Sequence, residues 1–140
     1  MKHDELPPMA QGYAVAMIES QEFWPDDFAV DFTKFKLAEV DHFLPGANRS
    51  IKADCERFVE MAIEELGDDF AIIENLTDGE RHRLGSELWY RRLGRDTIYE
   101  TSDETMTRAM NAAVQRLGRP IVLFCSIGYI QHSTRAEKST

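Results

Sequence analysis

The segment from Gly85 to Glu100 (Gly-Ser-Glu-Leu-Trp-Tyr-Arg-Arg-Leu-Gly-Arg-Asp-Thr-Ile-Tyr-Glu) is dense in aromatic, basic and turn residues at once. Its alternation sets Trp89, Arg91 and Leu93 on one face and Leu88, Tyr90 and Arg92 on the other, the period of an extended chain. With Gly94-Arg95-Asp96 as the turn, it predicts a hairpin of strands 87–93 and 97–100. A hairpin beside amphipathic helices implies one fold class: α+β, with helices packed on one small, mostly antiparallel sheet.

The helices are read from spacing. Ile51, Cys55, Phe58, Val59, Ala62, Ile63 and Leu66 recur every three or four residues and predict a helix over 51–66, with Ser50 as N-cap and Gly67 closing the last turn. Met106, Ala109, Met110, Ala113, Val114 and Leu117 predict a second over 103–117, capped by Ser102 and stopped by Gly118 and Pro120. Thr77-Asp-Gly-Glu80 has the Thr-x-x-Glu form of a capping box and predicts a short helix over 78–84. Tyr13, Ala14, Met17 and Ile18 suggest a helix of about three turns ending near Phe23-Trp24-Pro25, with Gly12 weakening its start. Residues 28–44 read as a short extended piece followed by a helix.

Ile121-Val-Leu-Phe-Cys125 is a short apolar run rich in strand formers and predicts a central, doubly buried strand, followed by a last strand over 128–132. The sheet is thus built from 87–93, 97–100, 121–125 and 128–132. No linker, repeat or low-complexity run divides the chain, so residues 1–132 form one domain and the polar tail 133–140 is frayed.

The net charge of −9 argues against direct nucleic-acid binding, which draws on Lys and Arg to displace counterions, and favours a basic partner. No apolar run approaches a membrane span, and the start lacks a basic stretch followed by an apolar one, so a cytoplasmic location is expected. Cys55 and Cys125 lie in apolar patterns and read as core thiols. The histidines, His3, His42, His82 and His132, are scattered without a ligand spacing, so no metal is expected. Asp26, Asp27 and Asp31 lack the glycine and distal glutamate of a calcium loop. No nucleophile elbow, phosphate loop or dinucleotide fingerprint occurs, and neither a catalytic residue nor a cofactor is predicted.

Between 54 and 69 the acids Asp54, Glu56, Glu60, Glu64, Glu65, Asp68 and Asp69 stand against one base, Arg57. Placed opposite the apolar stripe, they form a surface that can imitate a nucleic-acid backbone and enter a basic cleft, or that only solubilises the helix. The competing site is a small-molecule pocket or small enzyme centre at the hairpin, using Trp89, Arg92, Asp96, Tyr99 and Glu100. Trp89 itself reads as a core aromatic, with arginines over its face.

The order of features resembles a family of small uncharacterised proteins encoded by phages, plasmids and actinobacterial genomes. Its members carry an Asp-Cys helix and then Gly-His-Asp-Phe-Trp-Leu-Thr-Arg-Asn-Gly-His-Gly-Ala-Gly-Phe-Trp-Asp. Here Ala53-Asp54-Cys55-Glu56-Arg57-Phe58 is similar to the helix, and Gly85, Trp89, Arg92, Gly94 and Tyr99-Glu100 to the stretch. Met106-Thr-Arg-Ala-Met110 and Ile121 to Phe124 resemble the helix and short strand that follow. Ser86 stands in place of the histidine, Arg95-Asp96-Thr97-Ile98 replaces the glycine-rich turn, and the turn is one residue shorter. The resemblance implies a mobile-element origin and supplies no catalytic residues. With the acidic run, it gives the functional expectation: an accessory protein that binds and inhibits a host protein with a basic surface, one that handles nucleic acid in a defence complex.

Overall fold

A computed structural model describes residues 5–20, 45–94, 104–124 and 130–137. In chain order the elements are α1 (Pro8–Ser20), α2 (Pro45–Leu66), a 3-10 turn (Gly67–Asp69), α3 (Ala71–Glu74), α4 (Asp78–Arg92), α5 (Glu104–Leu117), β1 (Arg119–Phe124) and β2 (Ile130–Glu137). No helix among the described residues is long and apolar enough to cross a membrane.

The α+β reading is overturned, because the described chain is mostly helical. The predicted first strand, 87–93, lies within α4 up to Arg92, with Leu93 as its C-cap and Gly94 at φ 78° just beyond. The capping box at Thr77 forms as expected: Glu80 N donates to Thr77 Oγ1 and Thr77 N donates to Glu80 Oε1. The helix it starts does not stop at residue 84. Glu, Leu and Arg are good helix formers, and Leu84, Gly85, Leu88, Trp89 and Arg92 recur every three or four residues on one buried face. That continuous stripe outweighs the local period of two. Residues 97–100, 28–44, Ser102 and Cys125 lie outside the described residues.

Among the described residues the sheet is a two-stranded antiparallel ribbon, in which Val122 pairs with His132 and Arg119 with Glu137. β1 has β2 as its only hydrogen-bonded neighbour among them, so the central position expected for it is not seen there. Pairing through Glu137 also means that residues 133–137, expected to fray, belong to β2.

The longest helix, α2, begins at Pro45, so Ser50 lies inside it rather than capping it. Proline fits the first turn, where its missing N–H costs no hydrogen bond, and nothing in Gly46-Ala-Asn-Arg49 breaks the helix before residue 51. Gly67, at φ 57°, ends it in the left-handed conformation expected.

Helix α1 packs chiefly on α4, and α2 on α5 and β2. The first contact is unusually close. A Cβ on Gly12 would stand 1.9 Å from the His82 carbonyl oxygen, and one on Gly85 would stand 1.8 Å from that of Met9. These two glycines let the backbones meet directly. Tyr13, Ala14, Ile51, Phe58, Leu88, Trp89, Met110 and Ala113 fill the core between the layers.

Candidate functional site

Within that core lies a set of polar side chains drawn from four elements: Tyr13 from α1, Ser50 and Asp54 from α2, Arg92 from α4 and His132 from β2. Arg92 Nη1 donates to Asp54 Oδ2 at 2.7 Å and to Tyr13 Oη at 2.9 Å, while its Nε donates to the Gly118 carbonyl at 2.8 Å. His132 bridges the cluster, with Nε2 2.8 Å from Tyr13 Oη and Nδ1 2.8 Å from Ser50 Oγ. Trp89 and His132 both meet the Tyr13 ring edge to face, at centroid distances of 5.4 Å. Trp89 Nε1 donates to Ser20 Oγ at 2.9 Å, which ties the last turn of α1 to α4.

A serine against a histidine with a carboxylate nearby invites comparison with a nucleophile relay, but the electrostatics oppose it. The side chains of Asp54, Arg92 and His132 are all fully buried. Burial first, and the Arg92 charge second, push His132 down to about 3. A ring so reluctant to take a proton is a poor general base near neutrality. Asp54 Oδ2 is 3.8 Å from His132 Nε2 and is committed to Arg92, so it does not orient the imidazole as the carboxylate of a catalytic triad does. Burial raises the Tyr13 hydroxyl and the Cys55 thiol well above their usual ranges, so neither is an anionic nucleophile.

The neutral ring can serve the network in either of two orders. If the Tyr13 hydroxyl donates a hydrogen bond to Nε2, Nδ1–H is left to donate to Ser50 Oγ; if Nε2–H donates to Tyr13 Oη, the Ser50 hydroxyl donates to Nδ1. Both orders hold β2 against α1 and α2. The cluster is a polar clasp between helices and ribbon.

This clasp has a pH signature. The ordinary imidazole value is 6.5, so on acidification an unfolded His132 takes up a proton while the buried ring stays neutral until about 3. The unfolded state then binds more protons, and stability falls as pH drops through that interval, by about 1.4 kcal/mol per pH unit for a single proton. Asp54 contributes with the opposite sign. Burial raises its carboxyl against the opposing pull of Arg92, so the native state takes up that proton before the unfolded state does. In urea unfolding between pH 7 and pH 5, His132→Asn is expected to lose less stability on acidification than the wild type. An unchanged slope in that variant would contradict the buried neutral ring.

The positions that sequence reasoning singled out are divided by the fold. Asp54, expected on the acidic surface, is buried against Arg92. Glu56, Glu60, Glu64, Glu65, Asp68 and Asp69 are exposed, as the amphipathic pattern required. Arg116 reaches Glu64 at 2.8 Å and Glu65 at 3.7 Å, and Lys52 approaches Glu56 at 3.8 Å. Trp89 and Arg92 of the alternative pocket are buried in the core and line no hairpin, while Asp96, Tyr99 and Glu100 lie outside the described residues. Tyr13, Ser50 and His132 were missed as cluster members.

Asp54 carried a readable signal. It falls three residues after Ile51 and four before Phe58, squarely on the apolar stripe, and a carboxylate there requires a buried partner. Arg92 meets both Asp54 and Tyr13, and Trp89 meets Tyr13. No group of three or more His, Cys, Asp or Glu among the described residues could hold a metal ion. No family model, curated protein or solved structure matches the chain.

Proposed function

We propose that this chain is a binding protein, and that its acidic face, Glu56, Glu60, Glu64, Glu65, Asp68 and Asp69, occupies a basic surface on another protein and blocks that protein's access to nucleic acid. The observation that carries the reading is the separation of roles along α2. Its inward face holds the clasp, and Glu56, Glu60 and Glu64 stand one turn apart on its outward face in a chain of net charge −9. Carboxylates at that spacing steer a cationic partner and are read at its surface without entering a pocket. Such a role fits an accessory factor of a mobile element acting on a host defence protein.

The hairpin pocket receives less support. Two of its residues are core residues of α4, and the sealed clasp offers no basic imidazole.

The experiment is capture of partners from lysate with the wild-type chain and with the Glu56→Lys, Glu60→Lys, Glu64→Lys triple variant, followed by nucleic-acid binding assays on any captured basic protein. Reversing three surface charges is expected to weaken capture at least tenfold, with the loss shrinking as salt is added. If saturating wild-type chain leaves the captured protein's nucleic-acid affinity untouched, the inhibitory reading fails.

A further inference from the structure

The two hydrogen-bond orders open to the clasp are not equivalent, and Arg92 decides between them. Tyr13 Oη has two hydrogen-bond partners among the described residues, Arg92 Nη1 at 2.9 Å and His132 Nε2 at 2.8 Å. A guanidinium has donors and no acceptor, so the contact from Arg92 always uses the Tyr13 oxygen as an acceptor. The Tyr13 hydrogen then has one acceptor in reach, His132 Nε2. Were Nε2 protonated instead, two donors would converge on the phenol oxygen, and its own hydrogen would be buried without a partner. Tyr13 is 0% exposed, so solvent does not relieve that loss.

The far side of the ring is more forgiving. With Nε2 accepting, Nδ1 carries the ring hydrogen and donates to Ser50 Oγ at 2.8 Å. The hydrogen left to place is then that of Ser50, which is 9% exposed at the edge of the buried region. Its hydroxyl rotates freely, and a helical serine has both water and the carbonyl four residues back as acceptors. We infer that the clasp is a latch of fixed direction: hydrogen bonds run from Arg92 to Tyr13, from Tyr13 to His132 and from His132 to Ser50, with Tyr13 the positioning residue that keeps the ring hydrogen on Nδ1. The chain passes through α4, α1, β2 and α2 in that order. Each link joins one donor to one acceptor, so β2 seats only where both ring nitrogens meet the right partner at once. A slip of one residue would turn His132 to the opposite face of the ribbon and lose both partners. Apolar contact is tolerant of such a slip, whereas a fully matched polar chain is not.

Long-range proton–nitrogen correlation on the nitrogen-labelled full chain near neutral pH reads this directly, because protonated and bare imidazole nitrogens resonate far apart. The His132 signals are identified by their loss in His132→Asn. The wild type is expected to show a protonated Nδ1 and a bare Nε2, in at least about tenfold excess over the other form. Ser50→Ala is expected to leave the hydrogen on Nδ1, since reversal there would strand both the Tyr13 hydrogen and the Nδ1 lone pair instead of Nδ1–H alone. Tyr13→Phe is expected to release it to the Nε2–H form or to a mixture, with Asp54 Oδ2, 3.8 Å from Nε2, as the acceptor in reach.

A protonated Nε2 in the wild type, or an average of the two forms, would overturn the fixed direction. Loss of the Nδ1 hydrogen in Ser50→Ala would assign control of the ring to Ser50 and overturn it as well. A folded Tyr13→Phe variant that keeps the hydrogen wholly on Nδ1 would show that Tyr13 does not position the ring. Should Tyr13→Phe fail to fold, the wild-type and Ser50→Ala spectra still decide: a hydrogen held on Nδ1 in both supports the latch, and any other pair of results overturns it.

Discussion

Arg92→Met is expected to lower the unfolding free energy by about 3–5 kcal/mol, among the largest losses available to one substitution in this chain. The reason lies less in the lost attraction than in what stays behind. Asp54 sits at the same buried centre and would face the apolar core without the guanidinium at 2.7 Å. Tyr13 and the Gly118 carbonyl would also lose their donor. Met matches the length of the arginine stem, so the cavity term is small and the loss reports the unpaired charge.

The double variant Asp54→Leu, Arg92→Met separates the two contributions. Replacing both partners by apolar groups of similar volume removes the desolvation cost of each, including that of Asp54 Oδ1 and Arg92 Nη2, which have no hydrogen-bond partner among the described residues. The double variant is expected to recover most of the single variant's loss. Urea unfolding of wild type, both singles and the double closes the cycle. A double variant as unstable as Arg92→Met would show that the geometry of the whole clasp, and not one stranded charge, holds the core.

How much of this was legible in the sequence depends on how local each signal is. The stripe over 51–66, the stripe from Met106 to Leu117, the capping box at Thr77 and the left-handed Gly67 are written within local sequence, and the structure follows them among the described residues. The segment 87–93 failed because seven residues fit a period of two and a helical stripe about equally well. What decided between them was the continuity of the stripe back to Leu84, across a glycine that looked like a boundary. Ser50 has the chemistry of an N-cap, yet its hydroxyl meets His132, 82 residues away, which no local pattern encodes. For the candidate site, the exposed acids were legible from amphipathicity. The clasp was not, apart from Asp54 on the apolar stripe, because Tyr13, Arg92 and His132 become a set only after α1, α4 and β2 have docked.

Gly85→Ala is expected to destabilise the fold by about 3 kcal/mol or more, although alanine is the better helix former by roughly 1 kcal/mol. The two effects have opposite signs, and the packing geometry decides between them. A Cβ at residue 85 would lie 1.8 Å from the Met9 carbonyl oxygen, 2.8 Å from its carbon and 2.9 Å from Tyr13 N, all backbone atoms that no rotamer change can move aside. Either α1 and α4 must separate or one must shift along the other. Either movement pulls Tyr13 away from Arg92 and His132, so the clasp opens along with the helix contact. Gly12→Ala meets the His82 carbonyl at 1.9 Å and is expected to act in the same direction.

Gly79→Ala supplies the internal control. It lies in the first turn of the same helix with nothing within 4 Å of its Cβ position, and is expected to stabilise by about 0.5–1 kcal/mol through propensity and unfolded-state entropy. Thermal melting of the three alanine variants therefore tests the helix crossing itself: a rise for Gly79→Ala with a fall for the other two requires the close backbone approach. A rise for all three would mean that α1 does not cross α4 at Gly12 and Gly85.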